Sequence, residues 1–255
     1  MIQSVERAAN ILKALGGGSR RLGVSELSDQ LGLAKGTVHG LLRTLEAHGL
    51  VEQDPETDKY QLGAMLLRLG NSYLDTSELR SRALRWSERL AENTGESVRV
   101  GVPHGHGVLV VHHVFRPDNS LQILEVGAVL PLHASASGKA LLAFDHELEA
   151  AMLAAGELPK LTGRTVTARA ALRTQLGTVR ERGYALEREE AVIGDAGVAA
   201  PIFDRRGDVV GTIGLSGPVE RLGQRARQTA IAGAVTDAAR GVSRELGAPT
   251  WPAPR

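Results

Sequence analysis

Between Ser25 and Leu62 the sequence sets two short apolar-periodic stretches around a glycine and follows them with two β-prone runs, a combination that leaves few folds open. Leu27 and Leu31 lie one helical turn apart, and Gly32 interrupts the pattern. A second helix is predicted over residues 34–48, with Val38, Leu41, Leu42 and Leu45 on one face and Gly49 as its stop. Helix, short glycine-containing turn and helix is the spacing of a helix-turn-helix. Residues 50–53 and 59–62 flank Asp54-Pro55-Glu56-Thr57-Asp58, whose turn chemistry predicts a hairpin, or wing, directly after the second helix. Upstream, Ser4 reads as the N-cap of a helix over 5–15 whose stripe is Val5, Ala8, Ile11, Leu12 and Leu15.

A helix placed this way in a helix-turn-helix reads the major groove mainly through its N-terminal residues. The face opposite the leucines carries Lys35, Thr37, His39 and Arg43, and no acid occurs between Leu33 and Thr44. Lys35 and Arg43 can donate to guanine edges or phosphates, and Thr37 and His39 can reach either. Gly36 and Gly40 keep the face shallow. Arg20 and Arg21, before the first short helix, and Lys59, on the wing, are placed to touch phosphates. Total charge gives no support: the whole chain carries +1, and residues 1–75 hold eight Lys/Arg against nine Asp/Glu. DNA binding therefore has to rest on where the charges sit. The competing reading is a three-helix packing unit with an ordinary solvated face.

The remainder predicts a helical pair over 64–74 and 77–93, then strands mixed with helices without strict alternation. That mixture indicates an α+β domain. Strands are expected at 97–102, 108–114, 121–126, 184–187, 198–203 and 209–215, and helices at 137–144, 147–155, 168–182 and 224–246, with a loose tail from Ala248. The chain has no cysteine, which removes disulfides, thiol catalysis and cysteine-ligated zinc. No apolar stretch reaches the ~18 residues of a membrane span, and Glu6, Arg7 and Lys13 do not suit a signal peptide, so a cytoplasmic protein without a membrane partner is expected.

Catalytic motifs are weak. Gly138-Lys139 fails as a phosphate loop, because no glycine stands five residues before Gly138 and Ala140 replaces the magnesium-binding hydroxyl residue. No Gly-x-Ser-x-Gly elbow occurs. Glu187, Glu189 and Glu190 are expected to be solvent-exposed rather than an acid/base pair. His104, His106, His112 and His113 flank one hairpin, but neighbours on a strand point to opposite faces, which disfavours a metal site. No enzyme activity, metal or cofactor is predicted.

Taken in order, several segments resemble the IclR family of bacterial regulators. They are Ser4-Val5-Glu6-Arg7-Ala8, Leu31-Gly32-Leu33-Ala34-Lys35-Gly36-Thr37-Val38-His39, Tyr60-Gln61-Leu62-Gly63, Leu132-His133-Ala134-Ser135-Ala136-Ser137-Gly138-Lys139, Arg182-Gly183-Tyr184, Ala199-Ala200-Pro201-Ile202 and Ser216-Gly217-Pro218. Segments such as His39-Gly40, Gly95-Glu96-Ser97-Val98 and His112-His113-Val114-Phe115-Arg116-Pro117-Asp118 are similar to the glycerol-operon regulators within it. The resemblance implies a winged helix-turn-helix over 1–63, linker helices over 64–94 and a GAF-like effector domain over 95–248. It further implies a homodimer or dimer of dimers on a palindromic double-stranded operator, and a repressor of a catabolic operon released by a small molecule. Glycerol 3-phosphate, glycerol or a similar small anion is the expected effector. An activator answering another organic acid is the alternative, and an enzyme or a protein-interaction adaptor the rival classes.

Carried over by motif position, the effector pocket would be walled by Leu130, Ala136, Ser137, Gly138, Glu187, Asp195, Gly197, Gly214 and Ser216. A helix beginning near Ser137 would present free N–H groups and the positive end of its dipole to an anion. Glu187 suits ligand hydroxyls. The chain departs from the family pattern at Gly36 and Gly40, where Ser and Arg are usual, at Gly197, often Cys, and at Gly214, where Ser also occurs.

Overall fold

In the computed structural model the chain divides into two compact units, residues 1–76 and 77–255, and the structure describes residues 2–17, 21–118, 120–154, 156–223 and 225–251. The expected 64–94 connection is split by this boundary.

The first unit contains α1 (Gln3–Gly16), α2 (Val24–Leu31), α3 (Lys35–Ala47), β1 (Val51–Gln53), β2 (Tyr60–Leu62) and α4 (Ala64–Asp75). Its core draws on the periodic positions Ile11, Leu15, Leu27, Val38, Leu42 and Leu45, closed by Leu22, Val51 and Tyr60, while Val5 of the expected stripe is exposed. Ser4 lies inside α1, and the N-cap is Ile2 with no side-chain cap, correcting the expected Ser4 cap. Gly32 sits at φ 64°, a left-handed position that ends α2 without the Cβ penalty other residues would meet. Ser28 ties the turn, donating from Oγ to the Leu33 carbonyl at 2.6 Å while its own carbonyl accepts the Leu33 N–H at 3.1 Å. β1 and β2 pair antiparallel, and Leu22 exchanges backbone hydrogen bonds of 2.9 and 3.0 Å with Tyr60. The wing is thereby fastened to the start of α2.

The second unit runs α5 (Glu78–Thr94), β3 (Ser97–His104), β4 (Gly107–Val114), β5 (Val129–Pro131), α6 (Ala136–Phe144), α7 (His146–Ala154), α8 (Arg169–Arg182), β6 (Ala185–Arg188), β7 (Asp195–Phe203), β8 (Val209–Pro218), α9 (Val219–Leu222) and α10 (Arg225–Glu245). Its strands form one antiparallel sheet in the order β5-β4-β3-β8-β7-β6. Pairing register sorts side chains onto two faces. Val98, Val100, Val198, Ala200, Ile213 and Leu215 share one face, where α5 and α10 pack. The other face carries Ser97, Arg99, Ala185, Glu187, Asp195, Gly197, Ala199, Gly214 and Ser216, which are mostly small or polar. α6 lies over it, building a core of Ala136, Ala140, Leu141, Leu142, Leu172 and Leu176 with Ala185 and Ala199.

Three expectations need correction. The strand expected at 121–126 does not form; Leu121 and Ile123 are 100% and 80% exposed, and β5 takes the sheet edge instead. Glu187 and Glu190 are buried rather than exposed. Glu190 accepts from Lys139 Nζ at 2.6 Å through both oxygens, and Lys139 is 1% exposed. The tail is anchored as far as Trp251, which donates to the Pro201 carbonyl at 3.3 Å, packs edge-on to Phe203 and receives Arg240 over its ring.

Desolvation pulls the Lys139 ammonium below its ordinary pKa, and Glu190 opposes it. Glu190→Ala would strand that ammonium in the interior, an arrangement that costs about 3–5 kcal/mol in buried pairs. Urea unfolding should show a loss of that order in the transition of residues 77–255; a loss within the scatter of surface substitutions would mean Lys139 escapes to solvent.

Candidate functional site

The first candidate site lies on α3. Lys35, His39 and Arg43 follow one another at helical i, i+4 spacing and are all exposed, and Thr37 is half-buried beside them. Gly36 and Gly40 form the adjacent row, and a Cβ added at either would meet nothing within 4 Å. His39, Arg43, Lys59, Glu26 and Thr57 line one groove between α3, the start of α2 and the wing.

The basic residues differ in their commitments. Lys59 Nζ pairs with Glu26 Oε1 at 3.1 Å, and the Glu26 carboxylate, itself held below the usual range first by the Gly23 N–H and then by Lys59, also accepts that N–H at 2.6 Å. Arg21 pairs with Asp54 and donates from Nε to Gln61 at 3.1 Å. Among the described residues, Lys35 and Arg43 have no acidic partner. Arg20 lies outside the described residues. Of the cations expected at the DNA, Lys35 and Arg43 on α3 are free of acids, and Lys59, with its neighbour Arg21, braces the wing.

The second candidate site is a cavity of about 350 Å³ between the small-residue face of the sheet and the start of α6. Leu130, Ala136, Ser137, Glu187, Asp195, Gly197, Gly214 and Ser216 all line it. Gly138 does not. It packs on the chain behind α6, where a Cβ would sit 2.3 Å from the Leu132 carbonyl oxygen. The helix begins one residue before the expected Ser137, and its N-cap is Ser135, whose Oγ accepts the Gly138 N–H at 3.0 Å.

Sequence reasoning missed Arg99, Glu125, Leu161 and Val192 in the lining. Arg99 reaches Glu125 from β3, with Nη2 donating to Oε1 at 2.5 Å. Ser216 Oγ is buried and without a hydrogen-bond partner. Burial raises the Asp195 carboxyl, and the Arg99 charge opposes that rise. The Glu187 carboxyl is pushed up to about 7, chiefly by burial, against the N–H groups of Glu190 and Ala191 and the charge of Lys139. His112 and His113 fall on opposite faces of the sheet, paired with Val100 and Arg99 respectively, and burial lowers both imidazoles.

Residues 4–55 match the model of the IclR helix-turn-helix domain, and residues 71–244 that of the bacterial transcriptional regulator IclR C-terminal domain. The chain belongs to the IclR family of transcriptional regulators. It is 55% identical over 248 residues to a glycerol operon regulatory protein of Streptomyces griseus, and 53% identical to that of Streptomyces coelicolor, covering 97% of this chain and of each relative. The crystal structure of an IclR transcriptional regulator from Alicyclobacillus acidocaldarius superposes with a TM-score of 0.84 at 27% identity, covering 97% of this chain and 100% of that one. An IclR homologue of Microbacterium hydrocarbonoxydans complexed with 4-hydroxybenzoate gives 0.79 at 25% identity, covering 96% and 99%. This regulator is therefore a DNA-binding protein with an effector-binding domain, and no described helix is long and apolar enough to cross a membrane.

Within that family pattern, Gly197 and Gly214 act differently on the cavity. A Cβ at Gly197 would approach Ala136 and Glu187 at 3.4 and 3.5 Å, so a side chain there would narrow it. At Gly214 a Cβ would lie 2.5 Å from the Val198 carbonyl oxygen, so β7 would have to shift.

Two measurements test these readings. Arg43→Ala should weaken binding to a specific operator by about 1–3 kcal/mol if Arg43 reads a base edge, with sequence preference relaxed at one position; unchanged affinity in a DNA titration at fixed salt removes it from the reading set. Glu187 gives a pH signature. A carboxyl with a raised folded pKa holds its proton more tightly folded than unfolded, so its contribution to stability is complete below about pH 4.5 and is lost as pH rises toward about 7. Glu187→Gln should lose less stability than wild type across that interval in a series of urea midpoints, and parallel curves count against a buried, proton-holding Glu187.

Proposed function

We propose that this regulator represses a glycerol-utilisation operon and leaves its operator when glycerol 3-phosphate, or a closely similar polyol phosphate, occupies the cavity beside α6. The reading is carried by the cavity itself, where the start of a helix and an arginine meet two carboxyls that can accept from hydroxyls. Ala136 and Ser137 stand at the N-terminal end of α6, where the helix offers backbone N–H groups and the positive end of its dipole. Glu187 and Asp195 suit ligand hydroxyls. The Streptomyces relatives support the regulon.

On the DNA side, Lys35, Thr37, His39 and Arg43 carry recognition, with Lys59 and Arg20 at the flanking phosphates. The protein works in the cytoplasm as a homodimer or dimer of dimers, because a palindromic operator demands a two-fold symmetric reader. The domain over 95–248 binds its ligand without turning it over, and the connection over 64–94 passes the change to the DNA-binding heads. Binding of ligand and DNA are then linked, each weakening the other by the same factor.

The purified full-length protein is titrated against the DNA upstream of its own gene and of glycerol genes at constant salt, with and without glycerol 3-phosphate. Specific binding that the ligand weakens by roughly 5–150-fold is the expected result, the usual span of allosteric coupling. Specific binding indifferent to glycerol 3-phosphate and glycerol alike overturns the glycerol assignment, and tighter binding with ligand overturns release as the mode of control.

A further inference from the structure

Among the described residues the cavity is lined by one arginine, and it is already occupied. Arg99 lines the wall from β3 with its side chain 17% exposed, and among the described residues its only ion-pair partner is Glu125. Glu125 does not belong to the sheet or to a helix. It is carried by the segment between β4 and β5, and its side chain is 29% exposed. The apolar residues before it are lightly packed: Leu121, Ile123 and Leu124 are 60% exposed or more. That stretch is tied by a reciprocal pair in which the Arg116 N–H donates to Gln122 and Gln122 donates back to the Arg116 carbonyl, and the Glu125 N–H reaches His113 Nδ1 at 3.3 Å. Beyond Glu125 the backbone is held to β4, where Val110 exchanges hydrogen bonds of 2.9 Å with Gly127 and Ala128, and the Ala128 N–H donates to the Glu125 carbonyl at 2.9 Å. The Glu125 carboxylate has Arg99 as its ion-pair partner among the described residues. The other acids of the cavity, Glu187 and Asp195, come from β6 and β7 and are fixed by the ladder.

We infer that Glu125 is a displaceable stand-in for the ligand's acid group: it neutralises Arg99 in the empty cavity, and an anionic ligand takes its place on the guanidinium. This rests on the cavity being the effector site, and it adds how the site selects an anion. With Glu125 in place the lining has no unpaired cation among the described residues, and an ionised Asp195 opposes an entering negative charge. An anion enters by exchanging partners at Arg99. The exchange breaks one ion pair and makes another, so the guanidinium keeps a charged partner throughout while the Glu125 carboxylate, 29% exposed, turns to water. It favours a phosphate, which offers a guanidinium a bidentate, doubly charged partner in place of a carboxylate. An uncharged polyol makes no such exchange and leaves the pair closed. Arg99 is thus the residue that tells a polyol phosphate from the free polyol.

Calorimetric titration of the full-length protein with glycerol 3-phosphate, inorganic phosphate and glycerol tests this, with wild type, Glu125→Gln and Arg99→Gln compared after circular dichroism has verified folding. Glu125→Gln should tighten both anions, and Arg99→Gln should weaken glycerol 3-phosphate roughly ten- to hundred-fold, the worth of the charge-assisted hydrogen bonds lost. Glycerol should be indifferent to Glu125→Gln. Unchanged or weaker anion binding in Glu125→Gln overturns the exchange even if Arg99→Gln fails to fold. Operator release by glycerol 3-phosphate that survives Arg99→Gln at wild-type strength removes Arg99 while leaving the effector cavity standing. Binding of neither anion to wild type or to Glu125→Gln overturns the exchange and the anionic-effector reading together.

Discussion

The central sheet of the second unit has to satisfy two different coverings, and the rest of that unit follows from how its strands divide their residues. One face presents Val, Ile and Leu to α5 and α10, and burying them stabilises the unit at roughly 25 cal/mol per Å². The other face is almost stripped of bulk. Ala185, Gly197, Ala199 and Gly214 let α6 approach closely at one end and leave empty volume at the other. A sheet packed with large residues on both faces would be more stable and would have nowhere to bind anything.

That asymmetry brings polar groups into the interior, and each needs a partner. Lys139, on the buried helix α6, meets Glu190, whose N–H in turn donates to Glu187 at 2.8 Å. Glu187 borders the cavity, so the chain from Lys139 through Glu190 to Glu187 joins a packed interior to a binding wall. A change of charge at Glu187 is felt by a buried pair held in low dielectric, where electrostatic effects are strongest. The position is therefore suited both to sensing ligand hydroxyls and to passing on their presence.

How much of this was legible in the sequence depended on whether a residue's partner was local. The helix-turn-helix and wing could be read because helix period, glycine stops and turn chemistry act over a few residues. Arg99 could not. In Ser97-Val98-Arg99-Val100 it alternates with valines, and an arginine facing a cavity has the same pattern as one facing water. The reverse error occurred at 121–126, where a mostly apolar run suggested a strand but the sheet edge was filled by β5. Strand pairing is decided by long-range competition for an edge, which periodicity does not encode. The cavity wall itself was located through family resemblance, and Gly138 shows the limit of that route: motif position places it beside the site, but its missing side chain is needed for packing against Leu132.

The first unit poses an electrostatic problem of a different kind, since a nearly neutral head must hold a polyanion. Its answer lies in which charges are cancelled internally. Asp54 is taken by Arg21 and Glu26 by Lys59, so two acids that would repel DNA near the wing are screened by cations that also fasten the wing to α2. Lys35 and Arg43 remain unspent on a helix face free of acids. Few phosphate-neutralising contacts make nonspecific attraction weak, because that attraction scales with the number of counterions released. A head built this way depends on base edges and groove shape for its affinity, where a strongly basic domain would hold any sequence by charge alone.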